Sequence, residues 1–105
     1  MKKRLWNALL EGDVSIDAIK TLHTPAMNFK LSPNSYEQGV RFPWVLSVPA
    51  TVYILEGECT CRSVDAELIV RGSEILDAEP GRYEFEVTGG TKVKLVTVYS
   101  LPPRA

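Results

Sequence analysis

Histidine is almost missing from this chain: His23 is the only one in 105 residues. Cysteine is scarce as well, with Cys59 and Cys61 alone. A histidine-built metal centre is therefore excluded. A catalytic triad would have to use His23, yet no nucleophile elbow surrounds it and it stands before a Thr24-Pro25 turn, so it is read as an exposed or capping residue. Excess charge of one sign is also lacking. Twelve basic and 13 acidic residues leave a net charge of −1, which offers no basic face for nucleic acid. Lys2-Lys3-Arg4 is the one basic run and is read as a solvated start. No stretch approaches the ~20 apolar residues of a membrane span. The residues after the basic run, Leu5 to Gly12, are too few for a leader and are broken by Asn7 and Glu11. The expected partners thus include neither nucleic acid nor membrane, and the expected location is cytoplasmic. The two cysteines stand two apart, where a strand points both to one face and a mutual bond would be strained; they are expected to be reduced.

What is present is a change of period. Leu5, Trp6, Leu9 and Leu10 recur at helical spacing. Gly12 suits a helix C-terminus. Ser15 suits the cap of a second short helix, with Asp17 in its first turn and Ile16, Ile19 and Leu22 facing inward. Pro25 ends this region. From Met27 the period falls to 2. Met27, Phe29 and Leu31 alternate with polar residues, and Ser32-Pro33-Asn34-Ser35 has the composition of a turn. Val40, Phe42, Trp44, Leu46 and Val48 then share one face. Pro43 within that run points to a sheet edge. Thr51 to Leu55 is apolar throughout, as in a strand buried on both faces.

Glu56-Gly57-Glu58 is read as a tight turn or bulge, with Cys59 to Arg62 leaving it as the partner strand. Further strands are expected at Glu67–Arg71, Ser73–Ala78, Tyr83–Val87 and Lys92–Tyr99, the last with Val93, Leu95, Thr97 and Tyr99 on one face. Gly89-Gly90 reads as a hairpin. The sum is about eight short strands with turn signals every ~8–12 residues, an all-β sandwich or barrel.

Val52-Tyr53-Ile54-Leu55-Glu56-Gly57-Glu58 resembles the first signature of the cupin superfamily, an apolar strand carrying a tyrosine into a Glu-Gly turn. Gly72, Ile75-Leu76, Pro80-Gly81 and the alternating Tyr83–Val87 strand resemble the second. The resemblance covers roughly residues 37 to 100. It implies a double-stranded β-helix, or jelly-roll barrel, over residues 25–105, with the helical segment 1–24 packed on it in a single domain. It also implies where metal ligands would stand. Aligned on Gly39 and Gly57, the ligand positions of the first motif fall within Pro43 to Thr51, a segment without His, Asp, Glu or Cys. Aligned on Gly81, the histidine of the second motif falls on Glu84, which alternation turns outward, and the position four further on is Thr88. A protein-held divalent metal needs three or four converging donors, so no cofactor is expected.

A barrel interior is a ready pocket for a small molecule. Phe42 and Trp44 are expected to line it with Tyr53, and Tyr36, Glu37 and Arg41 to rim its mouth; Glu84 completes the candidate set. The leading expectation is a protein of the cupin type, non-catalytic or nearly so, that binds a small ligand or a protein partner and forms a homodimer. A metal-independent enzyme, such as the nucleoside phosphorylases among very short cupins, is one alternative. A regulatory or antitoxin-like module using the Leu5-Trp6-Leu9-Leu10 stripe is another.

Overall fold

The computed structural model describes residues 1–23 and 28–101. The helix stop at Pro25, the inward Met27 and the Pro102-Pro103 tail lie outside them. Among the described residues the chain forms β1 (Lys2–Leu5), α1 (Ala8–Glu11), α2 (Ile16–Leu22), β2 (Phe29–Tyr36), β3 (Arg41–Leu46), β4 (Ala50–Glu56), β5 (Glu58–Arg62), β6 (Glu67–Arg71), β7 (Glu74–Ala78), β8 (Gly81–Glu86) and β9 (Val93–Ser100). Two antiparallel sheets result, in the orders β1-β7-β4-β9-β2 and β3-β8-β5-β6. No helix among the described residues is long and apolar enough to cross a membrane.

Alternation decides what the sheets enclose. Val52 and Ile54 on β4, Cys59 and Cys61 on β5, Val70 on β6, Leu76 on β7, Phe85 on β8 and Val93 and Leu95 on β9 meet in the buried interior. The first sheet is also covered from outside. Trp6, Ile19, Tyr53, Ile75, Val96 and Val98 form a second buried cluster, so β4 is buried on both faces, as its unbroken apolar run requires. The outer face of the second sheet is left to solvent and carries ion pairs. Arg62 reaches Glu84 at 3.1 Å, Glu86 at 2.8 Å and Glu67 at 3.3 Å, and Arg41 reaches Glu84 at 3.0 Å.

Several sequence expectations fail for tertiary reasons. Lys2–Leu5 is a strand, because β7 offers a sheet edge and pairs Lys2 with Asp77 through Leu5 with Glu74. The apolar stripe dissolves with it. Trp6 is buried, while Leu5, Leu9 and Leu10 are exposed. Ser32–Ser35 is not a turn; it continues β2 in register with β9, Pro33 opposite Val96. β2 is an edge strand, where a proline need not break a ladder. Glu56-Gly57-Glu58 and Gly89-Gly90 are not hairpins: β4 and β5, and β8 and β9, belong to opposite sheets, so both links carry the chain across the sandwich. Gly57 makes its crossing at φ +91 with Lys92 and Val93 backbone packed against it.

The second helix matches its signals. Ser15 Oγ accepts from Ala18 N–H at 3.1 Å, Asp17 lies in the first turn and Ile19 is fully buried. Ile16 and Leu22, expected inward, are more than a third exposed. Seven residues are too few for an isolated helix, so Ile19, whose burial contributes about 1.5–3 kcal/mol, fastens α2 to the sheet. α1 ends at Gly12, whose φ of 73 suits a residue without Cβ. The Gly12 carbonyl accepts from Trp6 Nε1 at 2.8 Å.

The two open sides of the sandwich differ. On one, Lys3 on β1 donates to the Ile69 carbonyl of β6 at 3.0 Å and pairs with Glu74 at 3.3 Å, tying the sheets together. On the other, β2 and β3 are edges of opposite sheets and do not pair. The turn after Tyr36 joins them, with Val40 N–H donating to the Glu37 carbonyl at 3.2 Å.

Candidate functional site

The unpaired gap between β2 and β3 leads into a cavity of about 220 Å³. Its walls follow from register. Asn34 and Tyr36 face inward from β2, opposite Leu95 and Val93. Phe42 and Trp44 face inward from β3, opposite Phe85 and Tyr83. Val52, Leu95, Thr97 and Tyr99 complete the lining. Next to the turn the gap is closed by aromatic contact. The rings of Tyr36 and Phe42 lie 5.1 Å apart, those of Tyr36 and Phe85 5.7 Å, and Phe42 stacks on Phe85 at 5.0 Å. Farther along β3, Trp44 packs on Tyr83 at 5.6 Å, whose hydroxyl donates to the Glu79 carbonyl at 2.7 Å.

The cavity carries hydrogen-bonding groups without charge. Asn34 Nδ2 donates to Ser32 Oγ at 3.1 Å. Thr97 is nearly buried. Burial pushes the Tyr36 phenol above its ordinary value, and the neighbouring Tyr99 pushes it further, so it stays protonated at neutral pH. Among the described residues the lining contains no His, Cys, Asp, Glu, Lys or Arg.

Of the residues expected from sequence, Tyr36, Phe42 and Trp44 come together here. Tyr53 does not: it pairs with Val96 on the opposite face of the first sheet and packs under the N-terminal segment. Arg41 and Glu84 point outward from the second sheet and bind one another. Glu37 sits in the exposed turn between β2 and β3. Asn34 and Tyr99 escaped the sequence reading. Asn34 was concealed by the turn-like Ser32–Ser35. Tyr99 was signalled by the alternation of β9 but not joined to a site.

A second polar cluster lies outside the cavity. Arg4 Nε donates to Asp77 at 2.7 Å and Thr51 Oγ1 donates to it at 2.9 Å. Burial alone would raise the Asp77 carboxyl; these bonds outweigh it and hold the group below its usual range. Beside them Tyr53 Oη and His23 Nε2 share a hydrogen bond of 2.7 Å. The His23 ring stands edge-on to Phe29 at 4.5 Å. Its Nδ1 is buried and has no partner among the described residues. Burial, with the Arg4 charge added, lowers the His23 pKa. Tyr53 is almost completely buried, so its bond to His23 fastens α2 to the sheet.

The metal-binding residues of the fold can be tested against the donors. Inward positions on β3, β4 and β8 are Phe42, Trp44, Leu46, Val52, Ile54, Tyr83 and Phe85. None is a histidine or a carboxylate. Cys59 and Cys61 are inward on β5, but both are buried. The neighbouring Cys61 thiol, then burial, pushes the Cys59 thiol up, whereas a metal takes thiolate. Among the described residues no three His, Cys, Asp or Glu side chains converge. The donors present among the described residues do not fit a protein-held metal.

No family model matches the sequence, and neither does any curated protein. Solved structures do match. A putative ethanolamine utilization protein Q from Salmonella typhimurium superposes with a TM-score of 0.62 at 20% identity, covering 71% of this chain and 59% of that one; the chain spans less than two thirds of that protein. The cupin_2 domain of an XRE family transcriptional regulator from Enterobacter cloacae gives 0.66 at 11% identity, over 76% of this chain and 88% of that domain. A cupin superfamily protein from Desulfitobacterium hafniense gives 0.62 at 14%, over 71% and 69%. At these identities the likeness speaks for the fold.

Proposed function

We propose that this chain, a cupin-fold domain, holds a small molecule in the cavity between β2 and β3 without a protein-held metal and without converting it. The observation that carries this reading is the cavity itself. It is open to solvent, about 220 Å³ in volume and walled by Tyr36, Phe42, Trp44 and Phe85. A site for general acid–base chemistry places a titratable side chain within reach of the substrate, and this lining has none beyond phenols. The fold also serves as a domain of a transcriptional regulator, a setting that suits a module that reads a ligand.

Phosphorolysis of nucleosides finds less support. Phosphate calls for Arg, Lys or converging amides at the mouth. Arg41 and Arg62 instead lie on the outer face of the second sheet, engaged by Glu84, Glu86 and Glu67.

The test is an NMR screen of uncharged and charged fragments, read at the Trp44 indole, together with elemental analysis of the purified protein. Saturable shifts at Trp44 that vanish in Asn34→Trp, where a new ring fills the mouth, are the expected result. Silence at Trp44 across the screen, or stoichiometric iron, zinc, manganese or nickel, would sink the reading.

A further inference from the structure

We infer that the cavity is selective for an uncharged molecule with a single aromatic ring and one small polar substituent. This rests on the reading that the cavity binds a ligand and adds the ligand's class. Three observations converge on it: size, charge and wall geometry.

Size comes first. An apolar protein cavity of ~150 Å³ holds one benzene. The roughly 220 Å³ here leaves about 70 Å³ beyond a ring by that comparison, room for two or three further heavy atoms. A nucleoside, with a base and a sugar, does not fit inside.

Charge comes second. The lining supplies amide, hydroxyl and phenol groups from Asn34, Thr97, Tyr36 and Tyr99, and no ionised side chain. Lys30 follows on the same face of β2, opposite Tyr99, but is exposed and outside the lining. Arg41 and Glu84 neutralise each other on the far side of β3 and β8. A carboxylate or ammonium drawn into this space would lose water and gain no counter-charge.

Wall geometry comes third. The Tyr36–Phe42–Phe85 trio closes one end, with interplanar angles from 28° to 55°. Trp44, held against Tyr83, forms the adjoining wall. Ring faces and edges are therefore both offered to a guest. An aromatic guest gains from offset or edge-on contacts beyond its buried area. Two of the polar groups stand apart from the trio: Thr97 lies opposite Val52 and Tyr99 opposite Ala50, farther along β9 than Leu95. A bound ring would direct its substituent toward them.

Four probes of nearly equal size separate the arms: benzamide, cyclohexanecarboxamide, benzoate and benzylammonium. Each is titrated into the protein at pH 7.5 and followed at the Trp44 indole N–H and at ring protons of Tyr36 and Phe85. Benzamide is expected to bind saturably. Cyclohexanecarboxamide should be roughly two- to tenfold weaker, as the loss of aromatic contacts requires, and both ions about tenfold weaker or more. Thr97→Val, which removes the buried hydroxyl that the substituent would meet, should weaken benzamide several-fold and leave fluorobenzene, which lacks such a substituent, unaffected. Benzoate or benzylammonium within threefold of benzamide would overturn the selectivity and leave ligand binding standing. No saturable shift from any probe would overturn both.

Discussion

Replacing Gly57 by alanine tests the crossing that turns two sheets into one sandwich. Gly57 joins β4 to β5 at φ +91, and a Cβ there would stand 2.5 Å from the Lys92 carbonyl oxygen and 2.9 Å from Val93 Cα. Both are backbone atoms of the segment entering β9, which is central to the first sheet, so neither yields as a side-chain tip would. The left-handed conformation costs a non-glycine residue about 1–2 kcal/mol. Forcing extra volume into packed surroundings adds about 1–3 kcal/mol. The sum, about 2–5 kcal/mol, is a large part of the ~5–15 kcal/mol by which a domain is stable. Gly39→Ala is the internal control: φ is +82 but nothing lies within 4 Å of its Cβ, leaving only the conformational cost of about 1–2 kcal/mol. Urea unfolding followed by circular dichroism measures both. Gly57→Ala should lower the midpoint by roughly 1–3 M more than a variant of unchanged stability, and clearly more than Gly39→Ala. Equal effects of the two substitutions would refute the close approach of the crossing to β9.

Three further outcomes are expected. Trp6→Ala should cost about 3–5 kcal/mol, because Trp6 is buried against Tyr53 at a ring distance of 5.8 Å; Leu9→Ser and Leu10→Ser, at exposed positions, should stay within about 0.5 kcal/mol, and the opposite ranking would mean that the N-terminal segment is a partner surface instead of a cover. The His23 pKa lies below its ordinary 6.5 in the folded chain, so between the folded value and 6.5 the unfolded chain binds more protons and stability falls as pH drops through that window; unfolding midpoints between pH 8 and 5 should show this fall, and it should shrink in His23→Gln. The stabilisation from Asp77, held low by Arg4 and Thr51, is fully present above its ordinary 3.8 and is lost only as pH falls below that value toward the folded one. Cys59 and Cys61 are both buried, and the Cys59 thiol is biased to the protonated form, so both should react with an aromatic disulfide reagent only at the rate of unfolding; fast modification in native buffer would contradict their placement.

The strands were readable where one face is wet. The alternation of Phe42, Trp44 and Leu46 with Arg41, Pro43 and Val45 gave both β3 and its inward side, and two cavity walls with it. It gave the outward aim of Glu84 by the same token. Tyr53 was not readable, because β4 is apolar on both faces and a strand without alternation does not say which side meets the barrel. Leu5 stood in a helical spacing with Trp6, Leu9 and Leu10, which the pairing of Lys2–Leu5 with β7 overrode. Local composition also misled at the links. Gly57 and Gly89-Gly90 have the chemistry of hairpin turns, yet whether a glycine returns the chain beside itself or carries it to the facing sheet depends on contacts distant in sequence. Pro33 was a turn signal in isolation and an edge-strand residue in context. The polar end of the cavity, Asn34, was hidden with it.

The most direct measurement is a crystal structure of the protein soaked with benzamide, with difference density inspected between β2 and β3. The expected result is a single ring resting against Trp44 and the Tyr36–Phe42–Phe85 cluster, its amide toward Thr97 and Tyr99, with no ion on protein donors. A space filled by the protein's own side chains, or a cation coordinated inside the barrel, would contradict the account.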